Sequence, residues 1–199
     1  MLVLIRHAQS QGNAEGRLLG HLDSPLTAVG AGQAEALAGV LAPVVTGASR
    51  ILSSPLGRAR DTAAAVAGPA PVEVDQRWVE VDYGEYDGAL LGEVPHRIWS
   101  TWRRDAEFTP PGGESLATLG RRVRQACEEL FDAGAGPAAV GDVVVVSHVS
   151  PIKAAVAWAL DAPDAVVWRL RLSTASVTTI VWGAAGPLLQ QFNWTVPPG

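Results

Sequence analysis

Two short, unbroken apolar runs stand out along the chain, Leu2-Val3-Leu4-Ile5 and Val143-Val144-Val145-Val146. Neither alternates with polar residues, so each reads as a strand buried on both faces of a parallel sheet. Ile51-Leu52 is a third candidate, and Val177 to Trp182 and Leu188 to Phe192 read as two later strands joined by a turn around Gly183 to Pro187. Between these runs the apolar positions recur at helical spacing. Ala34, Leu37, Ala38 and Leu41 share one face. Leu116, Leu119, Val123, Ala126, Cys127 and Leu130 share a second, and Ile152, Ala155, Val156 and Ala159 a third. Strands alternating with helices predict a three-layer α/β/α sandwich with a mainly parallel central sheet, one domain over residues 1–199. The Trp-rich stretch from His96 to Phe108 has no strand pattern. It reads as a helical insertion, at about 89–113, lying over one edge of the domain and shaping access to any site there. Ala133 to Pro137 read as a loop and Val196 to Gly199 as a frayed tail.

The ends of the strands carry the chemistry. The first strand runs directly into Arg6-His7, and the valine run passes through Ser147 into His148. The strand at Ile51-Leu52 ends in Ser53-Ser54-Pro55, and a helix follows with Arg58 in its first turn. In open α/β sheets ligands bind outside the carboxyl ends of the strands. Three strand ends therefore deliver two histidines and two arginines to one edge. Guanidinium groups match phosphate oxygens in bidentate fashion, and a helix starting near Pro55 or Leu56 adds backbone donors. A compact anion, phosphate above all, is the natural occupant. The alternative for Arg58 is a plain cap or ion pair on its helix.

Composition narrows this further. Hydrophobic residues make up 48% and charged residues 18%, as in an ordered globular protein. The net charge is -5 and the pI about 5.3, so no global basic field attracts nucleic acid or an anionic membrane, and an anion site must be a local cluster. One cysteine, Cys127, supports neither a disulfide framework nor a zinc cluster, and it sits on an apolar stripe as plain core. The four histidines lack close metal-ligand spacing, so no metal and no cofactor are expected. Gly30-Ala31-Gly32 has neither a preceding strand nor a third glycine, which argues against a nucleotide loop. The opening apolar residues are too few for a leader, and no apolar run reaches membrane-spanning length, so a cytoplasmic protein, monomer or homodimer, is expected.

Six blocks, in order, resemble the histidine phosphatase (phosphoglycerate mutase-like) superfamily. They are Arg6-His7 with Ser10 and Asn13; Gly20 to Thr27 with Gly30 and Gln33; Ser53 to Ala59 with Thr62-Ala63; Glu80 with Gly84 and Gly88; Gly112 to Ser115; and Val146-Ser147-His148. The chain departs from the pattern at Ala8, at Gly12 where the family is often aromatic, and at Val149-Ser150 where it usually has two glycines. The resemblance implies a phosphoglycerate mutase-like fold and a metal-independent reaction on a small phosphorylated metabolite. His7 is implied as the nucleophile that becomes phosphorylated, its second nitrogen donating to a backbone carbonyl. Arg6, Arg58 and His148 are implied to hold the phosphoryl oxygens and Asn13 to add a neutral donor. Glu80 is implied as the acid and base, with Asp82, Glu85 and Asp87 nearby as alternatives. Gln9, His21 and Glu114 are further candidates for substrate contact. His21 and His96 otherwise read as loop residues, and Glu114 as a carboxylate favoured at a helix N-terminus. Only about 25 residues separate Gly88 from Glu114, shorter than in the family's mutases, which favours a phosphatase. Phosphoryl transfer of the mutase type and a non-enzymatic phosphate-binding module are the alternatives.

Overall fold

The computed structural model describes residues 1–132, 141–183 and 185–197. Six strands form one sheet: β1 (Leu2–Arg6), β2 (Ala48–Ser53), β3 (Glu73–Val74), β4 (Asp142–Ser147), β5 (Ser176–Gly183) and β6 (Gly186–Thr195). Their spatial order is β3-β2-β4-β1-β5-β6. The β1–β4, β2–β4 and β2–β3 pairs are parallel, whereas β5 runs antiparallel to both β1 and β6. The sheet is therefore mixed and mostly parallel. The two-residue β3 has no counterpart in the sequence pattern; it is too short to show a period. The helices are α1 (Gln11–Ala14), α2 (Ala28–Gly47), α3 (Gly57–Ala67), α4 (His96–Arg104), α5 (Leu116–Asp132) and α6 (Val149–Ala159).

The unbroken apolar runs are explained by burial on both sides. Leu2, Leu4, Val143 and Val145 point into a core shared with Leu119, Val123 and Cys127 of α5 and Ile152 and Ala155 of α6. Val3, Ile5, Val144 and Val146 point the opposite way, against Ala34, Leu37 and Leu41 of α2 and Ala59, Ala63 and Val66 of α3. Burying each of these Leu, Val or Ile side chains contributes roughly 1.5–3 kcal/mol. Because successive strand residues face opposite layers, β1 stays apolar from Leu2 to Ile5 and β4 from Val143 to Val146. Cys127 is fully buried in the first core, where burial pushes its thiol well above the usual range, so it is inert packing.

Two expectations need correction. Helix α2 is long and apolar enough to span a membrane by length and composition, with mean hydropathy 1.4, although the sequence pattern suggested no such run. Its Ala, Val and Gly content carries that value, while Ala34, Leu37 and Leu41 pack on the sheet. Within 89–113, only His96–Arg104 is α-helical. The loop read at Ala133 to Pro137 and the final Pro198-Gly199 lie outside the described residues.

The start of α2 presses on the segment that follows β1. Thr27 caps Gly30 through its hydroxyl at 3.0 Å, and the Gly30 Cα is so close to Gln9 that a Cβ would lie 2.0 Å from the Gln9 carbonyl oxygen. Gly32, two residues on, is exposed and open around a built Cβ. Gly30→Ala is expected to destabilise the protein by about 1–3 kcal/mol through overpacking. Gly32→Ala should stabilise it by about 0.5–1 kcal/mol through lower backbone entropy. Urea unfolding of both variants checks the opposite signs; equal midpoints would show that α2 does not hold this segment.

Candidate active site

Register sets the centre of the site. Arg6 of β1 pairs with Ser147 of β4, so the next residues, His7 and His148, emerge side by side. The His7 amide donates to the Ser147 carbonyl at 2.9 Å, and the two imidazole centroids lie 5.0 Å apart. On the far side of β4, the Ser54 amide donates to the Val146 carbonyl at 2.9 Å, which brings its hydroxyl within 2.7 Å of His148 Nε2. Helix α3 then starts, with Arg58 in its first turn.

His7 and the two arginines are tied to main chain, and His148 to the Ser54 hydroxyl; all but the half-buried Arg6 are buried. His7 Nδ1 lies 2.8 Å from the Ala8 carbonyl. A carbonyl can only accept, so Nδ1 carries the proton and Nε2 keeps its lone pair. The Ala8 amide donates to Thr62 Oγ1 of α3 at 3.0 Å, anchoring the turn. Arg58 donates to the carbonyls of Gly20 and Leu22 at 2.7 and 2.9 Å, and Arg6 to that of Leu172 at 2.7 Å. These partners are neutral, so the positive charge is not cancelled; Asp23 approaches Arg58 only to 3.9 Å. Burial pulls the Arg6 guanidinium down to about 10, which leaves it cationic at neutral pH. Burial first, and then Arg6 and Arg58, hold His7 well below its usual 6.5. Burial and then His7 and the arginines do the same to His148. Arg6 Nε, Arg58 Nε and His148 Nδ1 are buried with no partner among the described residues. Unspent donors and net positive charge around neutral imidazoles make an anion site.

A cavity of about 500 Å³ opens on Arg6 and His7 of this cluster, lined also by Gln9, Asn13, Glu80 and Tyr83 among others; Arg58 and His148 are buried and are not in its lining. Asn13 Oδ1 accepts from the Ser10 amide at 3.1 Å, leaving its NH2 as the group available to the cavity. Gln9 Oε1 likewise accepts from Thr27 Oγ1 at 2.8 Å. Of the four neighbouring carboxylates, Glu80 alone lines the cavity. Asp82 closes a turn onto the Gly84 amide, Asp87 accepts from the amides of Gly20 and Leu22, and Glu85 is exposed. The Glu80 carboxylate accepts from the amides of Val81 at 2.8 Å and of Ser150, at the start of α6, at 3.1 Å. Tyr83 is pushed up by burial and by Glu80, so it remains a neutral phenol.

Other candidates lie elsewhere. His21 and Glu114 line a neighbouring pocket, not this one. His21 Nε2 donates to the Glu80 carbonyl at 3.1 Å. Glu114 forms a bidentate pair with Arg122, at 2.9 and 2.8 Å, and Arg122 in turn donates to the Glu80 carbonyl at 3.2 Å. Both act on the backbone of Glu80, one step from the cavity. His96 is exposed at the start of α4. Of the insertion expected at about 89–113, Leu91 lines the cavity and no residue of helix α4 does. Trp102 is buried against Tyr83, Trp99 and Phe108 at 5.5–5.8 Å, and the aromatic stretch is a satellite core behind the cavity wall. The sequence reading also missed Arg122, Tyr83 and the 171–174 segment; Arg122 sits on the polar face of an ordinary amphipathic helix and carries no local signal. The departures from the resemblance have local causes. A Cβ at Gly12 would meet Leu19 at 2.7 Å, Ala8 is fully buried, and Val149 lines the cavity.

Known proteins resemble this chain over most of its length. Residues 2–195 match the family described as the histidine phosphatase superfamily (branch 1). A bifunctional protein of Mycobacterium tuberculosis is 39% identical over 190 residues, 93% of this chain, and the chain spans 51% of that protein's length. Phosphoserine phosphatase 1 of Hydrogenobacter thermophilus is 35% identical, with 90% of this chain and 85% of that protein covered. Among solved structures, a phosphoserine phosphatase mutant from Entamoeba histolytica in complex with phosphoserine superposes with a TM-score of 0.85 at 26% identity, covering 96% of this chain and 95% of that one.

The depressed histidines make stability depend on pH. Above pH 6.5 both imidazoles are neutral in the folded and unfolded chain. Below it the unfolded chain takes up protons that the folded chain refuses, so stability is lost as the pH falls. The loss reaches at most about 1.4 kcal/mol per pH unit for each histidine. Urea unfolding from pH 7.5 to 5.5 should show a flatter decline for His7→Gln/His148→Gln. Parallel curves for the two proteins would mean that neither imidazole is held neutral.

Proposed function

The chain belongs to the histidine phosphatase superfamily, branch 1, and on that premise we propose that it is a metal-independent phosphomonoesterase hydrolysing a small phosphorylated metabolite through a phosphohistidine on His7. The observation that carries this reading is the His7 tautomer: Nδ1–H donates to Ala8, so Nε2 offers a lone pair beside two buried guanidiniums.

In the first step Nε2 attacks phosphorus, the P–N bond forms and the ester P–O bond breaks. Arg6, Arg58 and His148 hold the phosphoryl oxygens, where charge lies in a loose transition state. Glu80, as the acid, gives its proton to the leaving oxygen. In the second step the Glu80 carboxylate takes a proton from water as that water attacks phosphorus. The P–N bond then breaks, releasing phosphate and neutral His7. The arginines supply the cationic charge that a metal provides in other phosphatases, and among the described residues no group of three or more His, Cys, Asp or Glu is placed to hold a metal ion. Transfer to water rather than to an organic acceptor is supported by the short segment between Gly88 and Glu114 and by the phosphatases among the relatives.

The test is chemical trapping. With labelled substrate and EDTA present, an acid-labile, base-stable adduct should appear on the His7 peptide, and His7→Ala should abolish turnover. An adduct on Ser10, Ser147 or an aspartate, or activity that EDTA removes and Mg²⁺ restores, would overturn the mechanism. A transferred label on an added alcohol, in place of free phosphate, would favour the mutase.

Glu80 is tested through the leaving group. Glu80→Gln should slow hydrolysis of alkyl phosphates by about 10²–10⁴-fold. With nitrophenyl phosphate, whose leaving group needs no proton, the same variant should give a burst of nitrophenol and then slow turnover. Equal slowing of both substrates, with the burst seen instead in Asp82→Asn, would move the acid to Asp82.

A further inference from the structure

His7 and His148 stand side by side, yet the reaction asks opposite things of them. His7 must offer a lone pair to phosphorus, and His148 a proton to a phosphoryl oxygen. A neutral imidazole has one N–H and one lone pair, so each role depends on which nitrogen holds the proton. For His7 the Ala8 carbonyl decides. For His148 the deciding group is Ser54, a buried hydroxyl to which the steps above give no part.

Ser54 is fully buried, and its amide donates to the Val146 carbonyl at 2.9 Å, two residues before His148. Its hydroxyl lies 2.7 Å from His148 Nε2, and the same oxygen accepts from the Leu56 amide at 3.4 Å. A serine hydroxyl has one proton and two lone pairs. Leu56 uses a lone pair, and among the described residues the proton has no acceptor in contact except Nε2. With that proton donated, Nε2 holds the lone pair and Nδ1 carries the ring proton. The reverse arrangement strands a hydroxyl proton in a fully buried position, which is costly. Burial, and then His7 and the arginines, hold the ring well below 6.5, so it does not take a second proton at neutral pH. Nδ1 is buried with no partner among the described residues, and its ring lies 5.0 Å from that of His7. A buried N–H calls for an acceptor.

We propose that Ser54 is a positioning residue that fixes His148 as its Nδ1–H tautomer, so that a neutral ring donates to a phosphoryl oxygen. Both imidazoles then carry the proton on Nδ1 and do opposite work. His7 turns its N–H to the backbone and leaves a lone pair for phosphorus. His148 turns its lone pair to Ser54 and leaves an N–H for oxygen. Without Ser54, the Nε2–H form of His148 would set a lone pair against an oxygen that can only accept. The proposal rests on the anion-binding role of His148 in the phosphatase reading.

The experiment reads the tautomer directly. Nuclear magnetic resonance of the full chain, labelled at the histidine nitrogens, separates protonated from bare ring nitrogens. The His148 signals are those lost in His148→Gln. With orthovanadate as the phosphate mimic at neutral pH, His148 should show a protonated Nδ1 and a bare Nε2. Ser54→Ala should shift the ring toward Nε2–H and lower kcat/KM for nitrophenyl phosphate by about 10- to 100-fold. Ser54→Thr keeps the hydroxyl and should keep the tautomer and recover most of the rate. Ser54→Cys, a weak donor, carries the comparison if Ser54→Ala unfolds. Wild-type His148 with its proton on Nε2, or with both nitrogens protonated in the vanadate complex, overturns the proposal. So does vanadate that leaves the His148 signals unmoved. A rate loss in Ser54→Ala with an unchanged tautomer makes Ser54 a packing residue and overturns it too. The expected tautomers with no phosphohistidine during turnover uphold the role of Ser54 and fail only the phosphatase reading.

Discussion

The parallel pairing of β1 with β4 is the constraint on which the rest of the molecule depends. Both strands are buried on both faces, so neither can slip by a residue without exchanging its side chains between two different cores. That packing fixes Arg6 opposite Ser147, and the register in turn fixes His7 beside His148. Nothing in the loops has to find this juxtaposition. Two histidines distant in sequence meet because two apolar runs have one way to lie together.

Around that pair the protein keeps positive charge unneutralised. Arg6 and Arg58 could have been satisfied by carboxylates, which is the common way to bury a guanidinium. Here they are held by carbonyls of Leu172, Gly20 and Leu22 instead. The loop bearing two of these carbonyls is itself held by Asp87, whose oxygens accept from the Gly20 and Leu22 amides at 2.7 Å. The negative charge that positions Arg58 is thus kept one peptide away from it. The guanidiniums are oriented but remain free to attract an anion, and burial, reinforced by their field, keeps both imidazoles unprotonated. An empty site is costly to maintain, and binding an anion relieves the repulsion between its cationic groups.

What the sequence revealed follows from this division. The strand ends were legible because apolar runs are local signals, and the residues after them inherit a position from the sheet. The helical stripes of α2, α5 and α6 were legible for the same reason, since period alone reports a buried face. In the Trp-rich stretch, aromatic density without period does not distinguish a binding surface from packing. Trp102 and its neighbours form a small core of their own, backing Tyr83. The rest of the cavity lining was not legible. Leu18, Leu91 and Arg171 come from three separate loops and share no pattern along the chain.

Glu80 shows the same limit most clearly. It lies in no strand or α-helix, and yet its position must be as well defined as that of His7. Distant groups supply that definition. Ser147 Oγ donates to the Trp78 carbonyl at 2.7 Å, tying the segment to β4 beside the histidine pair. Arg122 of α5 donates to the Arg77 carbonyl at 2.6 Å and reaches Glu80's own carbonyl, where His21 also donates. Glu114 holds Arg122 in place, and the start of α6 holds the carboxylate itself. These contacts span 42 to 70 residues of chain, apart from the Glu114–Arg122 pair at 8, so no short motif could announce them. His7 is placed by a strand and Glu80 by a set of long-range clamps. A change in α5 or in the His21 loop therefore reaches Glu80 without touching the cavity, because it moves the backbone that carries it.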